Sequence, residues 1–327
     1  MIHYHLPGLF EFYELYARFL PLFRKKREWF YDWCDIGSIY GASSDCLWGG
    51  GRVGFGDADA EDVLALLSDY GISARLTFSN SLLKPEHLAD RKCNKLCALF
   101  MESGQNGVIV HSELLLDYLR KTYPGLYLVS STTKVLTRFE DLRAELARPE
   151  FAYVVPDFRL NKSFDRLETL SAREKEKVEF LCNECCPIAC TKRARCYEQV
   201  SRMSLGESVD DFECFGARFA DRSGNCLEGG DASKSRDGFE GTIADKSADR
   251  FEGRTYSFSR AMESPAFISV KDILERYEPL GFTNFKIEGR SLGSALILEF
   301  LLYYMTKPED QLKVREAIYL DSALDLF

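Results

Sequence analysis

The sequence predicts a (β/α)8 TIM-type barrel with a Gly/Asp-rich insertion between strands seven and eight. Two observations predict this fold: eight strand-like segments alternate with helix-like segments, and a chain of 327 residues suits one such barrel. Repeated strand–helix alternation implies parallel strands joined by right-handed crossovers. A doubly wound open sheet is the alternative, because alternation alone does not prove closure. The predicted strands span residues 1–6, 33–40, 73–79, 107–111, 126–130, 152–155, 178–181 and 284–287.

The segments between these strands carry apolar residues at helical spacing. The first of them has a stripe that includes Leu15, Phe19 and Phe23. Asp59 is a suitable N-cap for the next. The predicted helices span residues 10–30, 60–70, 85–101, 112–123, 137–147, 164–170, 192–203 and 293–305.

Residues 206–265 differ in composition from the rest of the chain. They are rich in Gly, Asp, Ser and Arg, poor in Leu, Ile and Val, and contain a short duplication at 234–241 and 246–253. A small lid over the barrel mouth and a tolerated surface insertion are both open interpretations. The predicted organisation is therefore 1–205 for strands one to seven with their helices, 206–265 for the insert, and 266–327 for strand eight and the C-terminal helices.

Composition and charge exclude several classes of protein. With 46% hydrophobic and 13% aromatic residues the chain can bury a sizeable core, which excludes global disorder. A formal net charge of −9 argues against a general grip on nucleic acid but leaves room for a local basic patch. The longest apolar run, 295–305, is too short to span a bilayer, and the first ten residues lack a basic signal-peptide segment. We therefore expect a cytoplasmic protein without membrane contact.

Cysteines are concentrated at the end of strand seven. Cytoplasmic thiols stay reduced, so the 11 cysteines are not expected to form disulfides, and Cys34, Cys93 and Cys97 are expected in the core. Three or four converging thiolates can hold an Fe–S cluster or a tetrahedral zinc, whereas the alternative is a set of buried thiols. Five cysteines follow strand seven within fifteen residues: Cys182, Cys185, Cys186, Cys190 and Cys196. Three cations, Lys192, Arg193 and Arg195, lie between the last two of these cysteines.

Two other segments are candidates for binding an anion. The Gly-Gly-Gly-Arg run that ends at Arg52 could cradle a phosphate, yet it lacks the Lys-Ser/Thr of a P-loop and is more often a sharp turn. Lys286 and Arg290, which flank Glu288 at the end of strand eight, either bind an anionic substrate or pair within their own segment, which is the commoner arrangement. His5 and His111 lie at strand ends, but no acid–base pair is assignable to them.

Three segments resemble the collagenase-like peptidase family U-32 and its relatives. They are IYGASSDCLWGGGR at 39–52, NECCPIACTKRARCY at 183–197 and FISVKDILERYEPLGFTNFKIEGR at 267–290. They lie in the family's order and span most of the chain. The resemblance implies a TIM-type barrel. Members named as peptidases have a poorly defined mechanism, while other relatives bind a [4Fe–4S] cluster through four cysteines and support oxygen-independent hydroxylation of ubiquinone precursors or RNA bases.

The resemblance also implies metal ligands in this chain. Cys186 and Cys190 match the paired cysteines of the family's motif, and Cys46 matches a cysteine of the early loop. The fourth ligand is left open, with Cys214 in the insert as first choice and Cys182 as second. The chain departs from the family in its insert and at position 196, where relatives often carry His before the Tyr.

These observations lead to three functional hypotheses. The first is an Fe–S barrel that supports an oxygen-independent hydroxylation or related redox modification of a small-molecule or RNA substrate, with Arg52, Lys286 and Arg290 orienting an anionic ligand. The second is a peptidase, which needs a nucleophile–base pair or a hydrolytic metal at the mouth. The third is a zinc-stabilised binding protein without catalysis. A homodimer or a heterodimer is compatible with each.

Overall fold

Eight parallel strands form the centre of the molecule. The computed structural model describes residues 1–51, 58–184, 186–209, 258–289 and 292–324. The strands are β1 (Ile2–Pro7), β2 (Cys34–Gly41), β3 (Ser73–Phe78), β4 (Gly107–Val110), β5 (Tyr127–Ser130), β6 (Phe151–Val154), β7 (Glu179–Leu181) and β8 (Asn284–Lys286).

The strands follow one another around the sheet in chain order. The sheet order is β6-β5-β4-β3-β2-β1-β8-β7, and each neighbouring pair is parallel. The two outer strands of this order approach each other through a parallel bridge between Val154 and Val178. The sheet is therefore a nearly closed barrel. This confirms the (β/α)8 prediction and excludes the open, doubly wound sheet.

Helices alternate with the strands along the chain. One prediction needs correction: the helix expected over 85–101 is divided, because Asp90 caps a new helix by accepting a hydrogen bond from the Cys93 amide at 2.8 Å. The α-helices are Tyr13–Lys25, Ala60–Tyr70, Arg91–Met101, Glu113–Thr122, Phe139–Leu146, Phe164–Leu167, Ala172–Lys177, Arg193–Ser204, Phe258–Met262, Val270–Asp272, Ser294–Met305 and Gln311–Leu324. Short 3-10 turns span Arg27–Trp29, Pro85–Ala89, Thr132–Lys134, Phe158–Leu160 and Pro308–Asp310, and a π-helical turn spans Ile273–Tyr277.

The main hydrophobic core lies between the strands and the surrounding helices. Alternation along β3 shows how it forms: Ala74, Leu76 and Phe78 join this core, so the residues between them face the barrel interior. Cys34, Cys93 and Cys97 are fully buried in the same core, as predicted. A smaller apolar cluster, of Ile109, Val129 and Val155 with the rings of Tyr40, Tyr127 and Tyr153 against it, is separate from the main core.

A register shift between β1 and β2 makes room for a polar group in the interior. Tyr4 pairs with Ile36 and His5 with Ser38, so Gly37 is the extra residue. A Cβ at Gly37 would lie 2.8 Å from the His5 ring, and glycine therefore allows that ring to occupy its place.

Most of the predicted insert, residues 210–257, lies outside the described residues, and so does Cys214. The lid interpretation and the three-part organisation of the chain therefore stay predictions. Among the described helices, none has the length and apolar character needed to cross a membrane.

Candidate functional site

A cavity opens at the end of the barrel where the strands finish. Its volume is about 770 Å³, part of which is open to solvent. It is lined by residues that end or follow seven strands, including Pro7, Tyr40, Ser79, Ser131 and Lys286, so it occupies the C-terminal mouth of the barrel. Active sites of (β/α)8 enzymes lie at this end. We call this space the mouth cavity.

A buried cluster of charged side chains lies against the mouth cavity. Lys286 Nζ is 3.1 Å from Glu179 Oε1, and Arg75 Nη1 is 2.5 Å from Glu179 Oε2. Glu179 is fully buried, and Arg75 and Lys286 are nearly so. Strand alternation explains the arrangement, because Phe180 faces the outer core and Glu179 therefore faces inward. We call Arg75, Glu179 and Lys286 the charged cluster.

Aromatic and polar side chains from other strands complete the surroundings of the charged cluster. Arg75 Nε donates a hydrogen bond to Tyr127 Oη at 2.6 Å, and its guanidinium lies 4.5 Å from the ring centroid of Tyr153. Lys286 Nζ lies 3.3 Å from the ring centroid of Tyr40. Both cations are therefore held by a carboxylate and an aromatic face together.

His5 is also part of this interior and does not lie at the rim. Its Nδ1 is 2.8 Å from Ser38 Oγ, and its Nε2 is 3.3 Å from Asn284 Oδ1. Burial and the positive charge of Arg75 lower the pKa of His5 to about 3, although Glu179 acts in the opposite direction. His5 is therefore neutral near pH 7 and contributes hydrogen bonds but no charge.

The charges of Arg75, Glu179 and Lys286 do not cancel when Lys286 is protonated. Within the described residues, Glu179 is the carboxylate that both Arg75 and Lys286 contact. Burial would raise the pKa of Glu179, but its neighbours His5, Arg75 and Lys286 together hold it well below its usual range. Burial lowers the pKa of Lys286 to about 8; Glu179 opposes this and Arg75 adds to it. Lys286 is therefore the member of the charged cluster that can exchange a proton near neutral pH.

The sequence left open whether Lys286 pairs within its own segment. It does not, because its partner is Glu179 on β7. Arg52 and Arg290, the other two candidates for binding an anion, lie outside the described residues, so their roles stay predictions. Glu288 lines the mouth cavity, and its backbone amide donates to Asn183 Oδ1 at 2.7 Å.

The triple-glycine loop forms a close-packed turn. Gly50 has a φ of +94°, and a Cβ there would lie 2.6 Å from Asn80 Cα. Its amide donates to Ser204 Oγ at 3.1 Å, so this amide is already bonded within the protein. Gly51 lines the mouth cavity. The geometry supports the sharp-turn interpretation for Gly50.

Two of the predicted metal ligands lie in the loop after β7 and pack on one small cluster. Cys186 packs with Phe158 and Ala266 in a small cluster, and Cys190 packs against the same cluster. The backbone of their loop is held by Arg159, whose Nε donates to the Ile188 carbonyl at 3.1 Å. The same guanidinium donates to the Cys190 carbonyl at 2.5 Å. The two thiols are therefore presented by a supported loop.

The predicted cation Arg193 supports this loop by pairing with carboxylates. It is buried, 2.5 Å from Glu184 and 3.4 Å from Asp157. Glu184 Oε1 in turn accepts a hydrogen bond from the Cys186 amide at 2.9 Å. Arg193 therefore positions the cysteine loop through Glu184.

The other predicted ligands lie elsewhere. Cys182 is fully buried in the main core, where burial raises its pKa. Cys46 interacts with the thiol of Cys93, and the hydrogen bond from Cys93 lowers the pKa of Cys46 to about 7. In the described part of the chain, no three His, Cys, Asp or Glu residues form a group that could hold a metal. Of the ligands implied by the resemblance, Cys186 and Cys190 pack on one small cluster, Cys46 and Cys182 belong to the main core, and Cys214 lies outside the described residues, so the ligand set stays a prediction.

His111 lies beside a second, more open pocket with Lys134 and Tyr197. Its Nδ1 is 2.8 Å from Thr133 Oγ1, and Thr133 lines both this pocket and the mouth cavity. Burial, helped by Lys134, lowers the pKa of His111 to about 4. The imidazole is therefore neutral at pH 7 and a weak base.

Sequence reasoning did not single out Arg75 or Glu179. A signal was present: Glu179 stands inside the apolar run 178–181, and Arg75 stands on the face of β3 opposite its apolar residues. Buried charges in strands are rare unless they are paired. What the sequence lacked was the identity of the partner, since the two residues are 104 positions apart.

Comparisons with known proteins give one structural match. No protein-family model matches the chain, and no curated protein matches it. A solved structure described as that of the U32 peptidase Mk0906 is similar to 65% of this chain and 81% of its own, with 15% sequence identity and a TM-score of 0.45. A match of this strength says nothing about activity.

Proposed function

We propose that this chain is a barrel enzyme that binds a small, negatively charged substrate in the mouth cavity. One observation carries the proposal: Arg75 and Lys286 share the carboxylate of Glu179, and Lys286 lines the cavity. Arginine stays protonated in proteins, so with Lys286 charged the charged cluster has one positive charge in excess. In a poorly solvated interior such an excess favours an anion nearby.

Lys286 is the cation through which this excess reaches a substrate, because it lines the mouth cavity and Arg75 does not line it. Glu11 and Glu288 also line the cavity, and each has interactions of its own. Hydroxyl groups line the wall as well: Ser79 and Ser131, which are bonded to each other at 2.9 Å, are groups that can turn to the oxygens of a carboxylate or phosphate. The proposed substrate is therefore a small polar anion.

We further propose a redox function for the cysteine loop, with a [4Fe–4S] cluster as the leading candidate and zinc as the alternative. The observation that favours it is that Cys186 and Cys190 belong to the same small packed cluster, on a loop supported by Arg159 and Arg193. Such a cluster would supply one-electron chemistry for a hydroxylation or related modification. Two thiols are fewer than the four a cubane needs; Cys214, outside the described residues, is the first further candidate.

The peptidase alternative has weaker support. Its support is a hydroxyl–imidazole pair: Thr133 lines the mouth cavity, and its Oγ1 is 2.8 Å from Nδ1 of His111, which lines the second pocket. A nucleophilic hydroxyl needs an effective general base, whose pKa lies near the working pH. With a pKa of about 4, His111 is poorly suited to that role.

The substrate proposal is tested by thermal unfolding with acetate, lactate, succinate and phosphate. A ligand that binds only the folded protein raises the Tm, and the rise grows with the logarithm of the ligand concentration once that concentration exceeds the Kd. We expect such a rise in the wild type and in Lys271→Met, whose lysine is 78% exposed, but not in Lys286→Met. Equal shifts in all three proteins would contradict the proposal.

The redox proposal is tested by iron, acid-labile sulfide and zinc content after anaerobic purification. We expect about four irons and four sulfides per chain, with loss of both in Cys186→Ala and retention in Cys97→Ala, the matched core cysteine. Zinc without iron would replace the cluster by the zinc alternative. Absence of both metals, or unchanged metal in Cys186→Ala, would contradict the cysteine assignment.

A further inference from the structure

We propose that Lys286 forms an imine with a small carbonyl compound bound in the mouth cavity, and that the substrate class is a carboxylate with a neighbouring carbonyl group. The inference deepens the proposed function and rests on it: with Lys286 protonated the charged cluster attracts the carboxylate, and the same amine, after releasing its proton to solvent, reacts with the carbonyl.

The position of Lys286 supports a role beyond filling space. It is the last residue of β8, so its side chain lies where the packed interior meets the mouth cavity, and it is 4% exposed. Its amine is held between Glu179 Oε1 at 3.1 Å and the Tyr40 ring at 3.3 Å from the centroid. A fixed and poorly solvated amine beside a cavity is the arrangement that lysine nucleophiles require.

The charge of the cluster makes the amine available. Two cations contact one carboxylate, and the arginine cannot release its proton, so the lysine is the group that relieves the excess. When Lys286 is neutral, Arg75 and Glu179 balance each other. Burial lowers the pKa of Lys286 to about 8, so a substantial fraction is neutral near that pH, whereas an ordinary lysine has a pKa of about 10.4.

The reaction balances without a further reagent. The neutral amine nitrogen attacks the carbonyl carbon, forming a C–N bond, and the carbonyl oxygen takes up a proton. Loss of that oxygen as water, with both protons originating from the amine nitrogen, leaves a C=N bond. A proton from solvent converts this imine to its cationic form. Glu179 then lies beside the positive nitrogen, as it lies beside the ammonium group.

The experiment is reductive trapping with glyoxylate and cyanoborohydride, followed by peptide mapping of each lysine. At pH 8 we expect saturable modification of Lys286, at least tenfold faster than that of Lys271, which is 78% exposed. Lactate, which has the carboxylate without a carbonyl, should slow the modification of Lys286 and leave that of Lys271 unchanged. Lys286→Arg keeps the charge, so it should keep the lactate-dependent rise in Tm while losing the fast modification.

The outcomes separate this inference from the proposed function. Fast trapping at Lys286 with protection by lactate supports it. If lactate stabilises the wild type but Lys286 is modified no faster than Lys271, imine formation is overturned and anion binding stands. If lactate neither stabilises the protein nor protects Lys286, the carboxylate-directed site is overturned as well.

Discussion

Lys286 Nζ lies 3.1 Å from Glu179 Oε1, and the two side chains come from neighbouring strands inside the barrel. This contact places a proton-exchanging amine next to the mouth cavity. It also makes Glu179 the residue on which the stability of the interior depends, because Arg75 uses the other oxygen of the same carboxylate.

Glu179→Gln is expected to destabilise the protein by about 3–5 kcal/mol, since it leaves two buried cations without a carboxylate. Lys286→Met should cost less than about 2 kcal/mol, because Glu179 keeps its pair with Arg75 and the volume is preserved. The measurement is equilibrium unfolding in denaturant. An equal loss in both variants would contradict the shared role of Glu179.

Acidification is expected to destabilise the barrel through His5. Its pKa is about 6.5 in the unfolded chain and about 3 in the folded protein. Below pH 6.5 the unfolded chain therefore binds more protons, and the free energy of unfolding decreases as the pH is lowered. At about 1.4 kcal/mol per pKa unit, the loss between pH 6.5 and pH 4 is up to roughly 3 kcal/mol. His5→Gln should remove this part of the pH dependence and leave the curve above pH 7 unchanged. If stability depends on pH with the same slope below pH 6.5 in the wild type and in His5→Gln, this prediction is wrong.

Gly50→Ala is expected to destabilise the protein by about 2–5 kcal/mol, which combines left-handed backbone strain with a clash against Asn80. Gly71→Ala is the matched control. Gly71 has a φ of +67° with no atom within 4 Å of its added Cβ, so strain alone should cost about 1–2 kcal/mol. Denaturant unfolding of both variants tests the difference. Equal costs would show that the approach to Asn80 is unimportant.

Arg159→Met is expected to increase the rate at which iodoacetamide modifies Cys190 by several-fold, because the loop loses the donors to two carbonyl groups. Arg138→Met is the control, since that side chain is 70% exposed and pairs at the surface with Asp141. The rate is followed by mass spectrometry. Equal rates in the two variants would mean that Arg159 does not hold the loop.

The barrel was predictable because each strand carries its own local signal. Segments such as residues 73–79 alternate apolar residues between turn residues, and parallel order follows from the helices between them. Helix boundaries were less predictable. The break at Asp90 depends on one side-chain hydrogen bond, which periodicity alone does not reveal.

The site was predictable only in part, for a physical reason. Cys186 and Cys190 are close in sequence and share one small packed cluster in the structure. Cys46 was expected at the same mouth, but its thiol interacts with Cys93 on a neighbouring helix. The charged cluster joins strands β3, β7 and β8, and such long-range pairing is set by barrel closure and not by any local pattern.

The central claim is that protonated Lys286 binds a small anion in the mouth cavity. The most direct test is the lactate affinity of the wild-type protein, measured by calorimetry at pH 6.5 and pH 9.5, where lactate itself does not titrate. Because the pKa of Lys286 is about 8, we expect the affinity to be at least about tenfold weaker at the higher pH. An affinity that is the same at both pH values, or that is unchanged in Lys286→Met, would contradict the account.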